Sequence, residues 1–421
     1  MNQKNVIIIM IDGGRLDRAQ NSNIFKKLKS KSIFFSNSIT YAPHTIAAMH
    51  AVFSGSYGSR TGTNSYWSTF KFKKDKFKTL TEYLKTKNYD THADVINQLI
   101  VPKQGFDNYI VHDELNDDLV KSHKTLLEKM NQRNSNNNFF LYLHYSKIHT
   151  GIMNEVLKVY DNYSDDFFVN KERNELRYDN LFQAAESYLD EILTKIYQLE
   201  LDKDSIILVM SDHGVSVGEK FGERAYGAYC YDYTLRNFAY FLIPNSQPLE
   251  IKQQIRTIDY MPTILDLLNI SLDESYYDLD GQSLLPLIID KSSFEQYAFS
   301  ETGNPLKDKA PPKQPNIKSI RTSNWKLIFN EYNNTKELYN LQLDPDENNN
   351  LIAHDTIVVQ LGDQVDSFRA EMYAKKKELG RFSFLKINNL IKKLDKQAQK
   401  KKSRLISILG NHEIMNLVGD F

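Results

Sequence analysis

Short apolar runs alternate along the chain with longer segments of helical periodicity. The runs predict strands at residues 5–11, 139–144, 205–210 and 239–243. Between the second and third runs, apolar residues recur three or four positions apart and predict a helix with one apolar stripe: Leu181, Ala185, Tyr188, Leu189, Ile192, Ile196 and Leu199. Continuous apolar strands separated by helices are typical of a buried parallel sheet, so the pattern predicts an α/β fold.

The pattern changes toward the end of the chain. From about Gln296, the short pieces AFSET and WKLIFN are separated by Pro-rich and Asn-rich turns, which predicts a smaller second layer. The run NSNNN at residues 134–138 predicts a loop. After Asn350 the chain becomes rich in lysine, with helical periodicity.

Polar residues follow two of the predicted strands. Asp12 ends the first strand, and Asp212 with His213 ends the third. Open α/β sheets bind their ligands outside the carboxyl ends of the strands, and two carboxylates with an imidazole suit a hard or borderline metal ion. Taken alone, Asp-Gly is usually a turn and Asp-His is more often structural, so these residues need support from elsewhere.

A third candidate lies in the stretch TYAPHTIAAMHAVFSGSYGSRTG, residues 40–62. An Ala-Pro turn leads to Thr45, after which helical spacing continues to Ser54 and Gly55. A hydroxyl at a helix start lies among unpaired N–H groups, which favours an alkoxide and a bound anion. The alternative for Thr45 is an ordinary N-cap.

Composition excludes some classes of protein. The 421 residues include 53 Lys+Arg and 53 Asp+Glu, and a zero net charge argues against a nucleic-acid binder with a broad basic face. The single cysteine, Cys230, fits a reducing compartment. The longest apolar run is too short to cross a membrane, and the first residues lack the pattern of a signal peptide. These features predict a cytoplasmic protein.

Six segments in order resemble the sulfatase branch of the alkaline phosphatase superfamily. They are Asp12, the helix from Thr45, SDHGVSVGE, TIDYMPTILDLL at 257–268, DGQSLLPLI at 280–288, and WKLIFN with ELYNLQLDPDENNNL. The resemblance implies a large sandwich of helices around a mixed β-sheet, with a small C-terminal antiparallel subdomain. We therefore expect a catalytic domain over residues 1–290, its subdomain over 291–352, and a separate segment over 353–421.

The resemblance also implies roles for individual residues. It places Asp12, Asp212 and His213 at metal-ligand positions, and Thr45 at the position of a nucleophile that also binds the metal. His149, in LHYSKIHTG, matches a histidine that contacts the transferred group or the leaving oxygen; the alternative is a structural histidine. One divalent ion is expected, with Mn²⁺ or Zn²⁺ first and Mg²⁺ or Ca²⁺ as alternatives.

Departures from the family pattern bear on the reaction. Sulfatases of this family convert a Cys or Ser in the string C/S-x-P-S-R to formylglycine, whereas this chain has TIAAM at residues 45–49. Gly13 replaces a second acidic residue, and the family's anion-binding lysines have no evident equivalent. The first expectation is therefore hydrolysis or transfer of a small-molecule or glycan-linked phosphate mono- or diester through Thr45. The alternatives are a sulfuric ester hydrolase and a catalytically inactive binding protein.

The last segment, residues 353–421, resembles part of a calcineurin-like metallophosphatase. TIVVQLGDQVDS and RLISILGNHEIMN each place polar residues after an apolar strand, and the resemblance gives metal-site roles to Asp363 and Asn411 and a leaving-group role to His412. Other blocks of that family are absent, which favours a truncated domain. A basic helix at residues 386–409 is an alternative surface for weak contact with an anionic membrane.

Overall fold

The computed structural model describes residues 4–65, 68–133, 137–157, 165–289, 296–303, 314–331, 333–352, 358–360 and 406–408. Its main feature is a nine-stranded sheet with the order β4-β3-β5-β1-β6-β7-β2-β8, in which β9 also pairs with β2. The strands are β1 (Asn5–Ile11), β2 (Ile33–Ile39), β3 (Asp90–Val95), β4 (Asn108–Val111), β5 (Phe139–Tyr145), β6 (Ser205–Ser211), β7 (Arg236–Leu242), β8 (Leu249–Ile251) and β9 (Ile255–Arg256). Strand β7 is antiparallel to its neighbours β6 and β2, and the other pairs of the sheet are parallel. The four strands predicted from the apolar runs are confirmed.

Helices cover both faces of this sheet. The α-helices are α1 (Leu16–Asn21), α2 (Asn23–Lys29), α3 (Thr45–Ser54), α4 (Gly58–Thr61), α5 (Leu80–Lys85), α6 (Leu119–Gln132), α7 (Lys147–Gly151), α8 (Asp166–Val169), α9 (Lys171–Gln198), α10 (Leu201–Asp204), α11 (Asp232–Leu235), α12 (Tyr260–Leu267) and α13 (Leu285–Ile289). Short 3₁₀ turns lie at Thr69–Lys71 and Thr257–Asp259, and a π-helical segment at Ile152–Leu157. The predicted apolar stripe lies on α9 except for Leu199, which is the C-cap of this helix.

Alternation along the strands divides the core into two layers. Odd-numbered residues of β1, such as Ile9, pack with α6 and α9, whereas even-numbered residues, such as Ile8, pack with α3, α5 and α12. Successive side chains of a strand point to opposite faces, so one register decides which helices each residue meets. The same alternation places the polar residues at the strand ends on defined faces.

A second, antiparallel sheet has the order β10-β11-β12-β13. Its strands are β10 (Ala298–Thr302), β11 (Ile317–Arg321), β12 (Trp325–Asn330) and β13 (Thr335–Asn340). Besides apolar contacts, buried ion pairs join it to α11: Asp232 lies 2.8 Å from both Arg321 Nη2 and Lys326 Nζ. The large mixed sheet, the flanking helices and the small antiparallel sheet confirm the predicted fold class.

Much of the predicted C-terminal segment lies outside the described residues. The structure describes β14 (Val358–Gln360) and β15 (Ile406–Ile408), which pair in parallel. Asp363, Asn411 and His412 lie outside the described residues, as do the basic helix predicted at 386–409 and most of the loop predicted at 134–138. The domain boundaries stay predictions. Within the described ranges, no helix is both long and apolar enough to span a membrane.

Glu223, in the segment after β6, gives a test of the packing beside the small sheet. Burial raises the pKa of this carboxyl to about 8 from its ordinary 4.5. A raised folded-state pKa stabilises the fold fully below the unfolded pKa, and this stabilisation is lost as the pH rises through about 8. Glu223→Gln should therefore flatten the decline of the unfolding free energy with pH, by up to ~1.4 kcal/mol per pH unit. Urea unfolding between pH 4.5 and about pH 8 measures the unfolding free energy of both proteins. Equal slopes of this free energy against pH in wild type and Glu223→Gln would contradict the prediction.

Candidate active site

The central strands bring the first two candidate carboxylates side by side. Strand β1 lies between β5 and β6 and is parallel to both, and Ile11 pairs with Ser211. Asp12 and Asp212 each follow these paired residues, so they leave the sheet at the same level. Both continue the even-numbered face of their strands, which is the face covered by α3. Parallel strands in register thus join residues that are 200 positions apart in the sequence.

Asp12, Asp212 and His213 form a buried cluster whose ligand atoms all lie within 4.8 Å of one another. His213 Nε2 lies 3.3 Å from Asp212 Oδ2 and 3.8 Å from Asp12 Oδ1. The other ring nitrogen, Nδ1, lies 2.8 Å from the Gly214 carbonyl, to which an N–H there donates. This contact orients the ring so that Nε2 faces the two carboxylates.

The cluster has the properties of a cation site. Asp12 Oδ1 and Asp212 Oδ2 are buried, and within the described part of the chain neither has a hydrogen-bond partner. Burial raises the pKa of Asp212, and the charge of Asp12 adds to this effect. Burial would also raise the pKa of Asp12, but the surrounding His149, His144 and His213 lower it strongly. Two buried carboxylates with unpaired oxygens are costly without a positive charge between them, so the residues fit a divalent ion.

Gly13 closes the turn after β1. Its φ of 73° lies in the left-handed region that glycine adopts at no steric cost, and an added Cβ would lie 3.0 Å from Val215 Cγ2. The turn directs the Gly13 N–H to Asp212 Oδ1, at 3.1 Å. The residue that replaces an acidic position of the family pattern therefore orients a ligand through its backbone.

Thr45 lies at the first position of α3 and points into this cluster. Its Oγ1 is 3.4 Å from Asp12 Oδ2 and 3.3 Å from His213 Nε2. The N-cap is His44, in extended backbone, so the N-cap interpretation of Thr45 is wrong. Thr45 belongs to the first turn of α3, and every residue of this helix is buried. The helix is followed by its C-cap, Gly55, which has a left-handed φ of 60°.

His149 lies on α7, directly after β5. Its Nδ1 is 3.8 Å from Asp12 Oδ1 and 2.9 Å from the hydroxyl of Tyr226. The His149 side chain is 21% exposed, in contrast to the fully buried His213. It therefore lies between the carboxylate cluster and solvent, where an incoming ligand would pass. The structure brings all five predicted residues together.

Sequence reasoning missed His144 and Tyr226. His144, on β5, pairs with Met10, so it shares the face of Asp12, and its Nε2–H donates to Asp12 Oδ2 at 3.0 Å. The Tyr226 ring lies beside His213, with 4.9 Å between centroids. The polar residue near the end of an apolar strand was a readable signal for His144, whereas Tyr226 lies in a loop with no periodicity. Cys230 is buried in the apolar cluster beside the small sheet, away from these residues.

Comparison with known proteins identifies the family. The family model "Sulfatase" matches residues 4–270, which include every residue of the cluster. The chain belongs to the sulfatase family. A second model, the C-terminal part of N-sulphoglucosamine sulphohydrolase, matches residues 229–371 and so covers the small antiparallel sheet. The predicted resemblance to the sulfatase branch is confirmed, whereas the calcineurin-like resemblance stays a prediction.

Curated relatives match over part of their length. Human Arylsulfatase K is 26% identical over 199 residues, which are 44% of this chain and 35% of the relative. Choline-sulfatase of Rhizobium meliloti strain 1021 is 27% identical over 188 residues, which are 43% of this chain and 34% of the relative. The chain thus spans about a third of the length of these sulfatase-family relatives.

Solved structures extend the similarity of fold. A 2-O GAG sulfatase has a TM-score of 0.65 at 17% identity, covering 89% of this chain and 91% of the other. A protein solved with its substrate D-glucosamine-2-N,6-O-disulfate has a TM-score of 0.65 at 15% sequence identity, and the match covers 89% of this chain and 96% of the other. A phosphonate monoester hydrolase from Silicibacter pomeroyi has a TM-score of 0.64 at 14% identity, and the match covers 81% of this chain and 89% of the other. The sulfatase fold is shared, and the sulfuric ester alternative is better supported than the phosphate ester first expected.

Proposed function

We propose that this protein is a metal-dependent hydrolase of sulfate monoesters that uses Thr45 as its nucleophile. The observation that carries the proposal is the Thr45 hydroxyl, within 3.4 Å of both a carboxylate oxygen of Asp12 and Nε2 of His213. Family membership supports sulfate as the transferred group. The structural neighbour solved with a disulfated glucosamine supports a sulfated sugar as the substrate class.

Asp12, Asp212 and His213 would hold the divalent ion, with Thr45 Oγ1 as a further ligand. The ion would supply positive charge that lowers the pKa of a bound hydroxyl and neutralises an ester oxygen. The orphaned oxygens of the two carboxylates support this assignment. Mostly oxygen donors with one imidazole suit Mn²⁺, Mg²⁺ or Ca²⁺, and Zn²⁺ also accepts such a set.

The residues of the chain would carry the reaction in two steps. The Thr45 hydroxyl loses its proton to solvent and its Oγ1 attacks the sulfur in line, while the bond from sulfur to the leaving oxygen breaks and His149 donates a proton to that oxygen. Water then attacks the sulfur of the sulfated Thr45, and one of the water protons passes to Thr45 Oγ1 as the bond between that oxygen and sulfur breaks. Hydrogen sulfate leaves and ionises in solution, and the hydroxyl is restored. Threonine has no geminal hydroxyl, so this second step differs from release by a formylglycine hydrate.

A phosphate ester is the second candidate. The threonine hydroxyl itself favours it, because the position has neither the Cys nor the Ser that the family's sulfate chemistry converts. The same two steps would then pass through a phosphorylated Thr45. Parallel kcat/KM measurements on an aryl sulfate, an aryl phosphate and a bis-aryl phosphate, in protein loaded with each divalent ion, separate the two. A higher kcat/KM for the sulfate supports the first proposal, and a higher value for either phosphate replaces it.

Absence of turnover on all three esters would favour the inactive binding protein. The hypothesis of an inactive binding protein requires a second measurement, because an aryl group is a poor mimic of a sugar. Isothermal titration of the metal-loaded protein with a sulfated disaccharide would detect binding. Binding without turnover in the loaded protein contradicts the proposed hydrolase.

His149 offers a graded test of the leaving-group step. His149→Ala should lower kcat by roughly 10²–10⁴, the usual contribution of a general acid. The loss should grow as the leaving alcohol becomes less acidic, because an activated phenol needs little protonation. A comparison of aryl and alkyl esters measures this dependence, with Tyr226→Phe as the control that keeps the imidazole but loses its 2.9 Å contact. An equal loss for all leaving groups would contradict the role.

A further inference from the structure

A second group of metal-ligating side chains lies on the other face of the sheet. Asp94 of β3 pairs with Leu143, whose side chain belongs to the core layer of α6 and α9. His112 follows β4 directly, and His123 lies on α6. The three residues are buried, and their ligand atoms all lie within 4.8 Å of one another. Asp94 thus lies on the face opposite α3, while the His112 ring lies 6.0 Å, centroid to centroid, from that of His144 at the end of the sheet.

The distances in this group differ between its two histidines. His112 Nδ1 lies 2.5 Å from Asp94 Oδ1, which is a short hydrogen bond. His123 Nε2 lies 3.7 Å from Asp94 Oδ2, beyond hydrogen-bond distance. Two ligands of one tetrahedral zinc ion, each about 2.0–2.2 Å from it, lie roughly 3.4 Å apart. The gap between His123 and Asp94 is thus close to the spacing of two ligands of one ion.

His123 carries an independent signal. Its Nε2 is buried and has no hydrogen-bond partner among the residues that the structure describes, although the ring is fully enclosed at 0% exposure. Burial lowers the pKa of His123. A buried ring nitrogen aimed at a carboxylate without a hydrogen bond is costly, and a cation between the two would satisfy both.

The outer nitrogen of each ring is held by a hydroxyl. His112 Nε2 lies 2.8 Å from Ser146 Oγ, and His123 Nδ1 lies 2.6 Å from the hydroxyl of Tyr188. Metal-binding histidines are usually oriented in this way, by a polar partner on the nitrogen that does not bind the ion. With an ion bound, His112 would carry its proton on Nε2, whose N–H would donate to Ser146 Oγ, so no net proton release from His112 would be required.

We propose that Asp94, His112 and His123 bind a zinc-class divalent ion at a site distinct from the cluster at Asp12. Two imidazoles and one carboxylate are a borderline donor set, which favours Zn²⁺ or Co²⁺ over Mg²⁺ or Ca²⁺. The site would fasten α6 to β3 and to the segment after β4. Through Ser146, which directly precedes α7, it would also steady the helix that carries His149.

The experiment must remove the other metal cluster first. In the Asp12→Asn/Asp212→Asn double variant, loading with Zn²⁺ followed by gel filtration should leave one zinc ion per chain, measured by elemental analysis. Adding Asp94→Asn or His123→Gln should remove that ion. His92→Gln is the matched control, because His92 is a buried histidine on the same strand outside the group. It should retain the ion.

Two further measurements decide the case if a variant fails to fold. Zn²⁺, but not Mg²⁺, should raise the melting temperature of the double variant, because an ion that binds only the folded state stabilises it. In crystals of the zinc-loaded protein, an anomalous map at the zinc edge should place a peak within bonding distance of His123 Nε2. A double variant that holds no zinc overturns the proposal, as does zinc retained after Asp94→Asn in a folded protein or a crystal without that peak.

Discussion

Thr45→Val is expected to abolish ester hydrolysis while leaving the three proposed ligands Asp12, Asp212 and His213 in place. Valine keeps the shape of threonine but removes the hydroxyl that lies 3.4 Å from Asp12 Oδ2 and 3.3 Å from His213 Nε2. Loss of an attacking nucleophile costs roughly 10⁴–10⁶ in kcat. Steady-state kinetics on the preferred ester measure the loss, with elemental analysis to show that the variant still holds its ion.

Thr45→Ser is the matched control for this experiment. Serine keeps the hydroxyl at the start of α3 and should retain most of the turnover. Near wild-type kcat in a metal-loaded Thr45→Val protein would show that water, and not the side chain, attacks the ester. Intact-protein mass spectrometry of wild type after brief exposure to a slow ester provides a direct check, because a covalent adduct should map to Thr45 and be missing from Thr45→Val.

The second large effect concerns Asp212→Asn. This change should not lower the unfolding free energy of the metal-free protein, but it should lower that of the metal-loaded protein relative to wild type. In metal-free protein, Asp212→Asn should leave the unfolding free energy equal or higher, because it removes a carboxylate buried beside Asp12. With the ion present, wild type should gain about 2.7 kcal/mol at a concentration about 100 times its Kd, and the variant should gain much less. Activity should be lost with the ion.

Denaturant unfolding with and without a chelator measures the unfolding free energies of wild type and Asp212→Asn in both states. Asp17→Asn is the control for the gain from the ion, because it changes a half-exposed carboxylate that pairs with Arg15 and Arg18 near the start of α1 and lies outside the cluster. Asp17→Asn should show the same gain from the ion as wild type. A wild-type protein whose stability does not respond to any divalent ion would contradict the assignment of Asp12, Asp212 and His213.

The apolar patterns predicted the framework well. Strands β1, β5 and β6 and helix α9 follow from long, uninterrupted periodicities, because burial on both faces of a parallel sheet leaves little freedom in residue type. Asp12, Thr45, His149, Asp212 and His213 could be proposed because each stands beside such an element and matches an ordered family pattern. Their roles still rest on the experiments above.

The sequence could not predict the partners of these residues. His144 binds Asp12, and Tyr226 binds His149, yet neither pair has a fixed spacing that a pattern could reveal. The N-cap interpretation of Thr45 failed for a related reason. N-cap preferences consider only the contacts of a hydroxyl within its own helix, whereas the Thr45 hydroxyl contacts residues that are 33 and 168 positions away.

By itself, the sequence determined the α/β class, the order of the main elements and membership of a family, because these depend on periodicity and on motifs that are local. Only the tertiary structure decided which side chains meet. Strand register places Asp12 and Asp212 on the face of α3, and the same alternation sends Asp94 to the opposite face with His123. A shift of one residue in strand pairing would move Asp12, Asp212 and Asp94 to the opposite faces of the sheet. The register is fixed by the packing of the whole sheet, which a local sequence pattern does not contain.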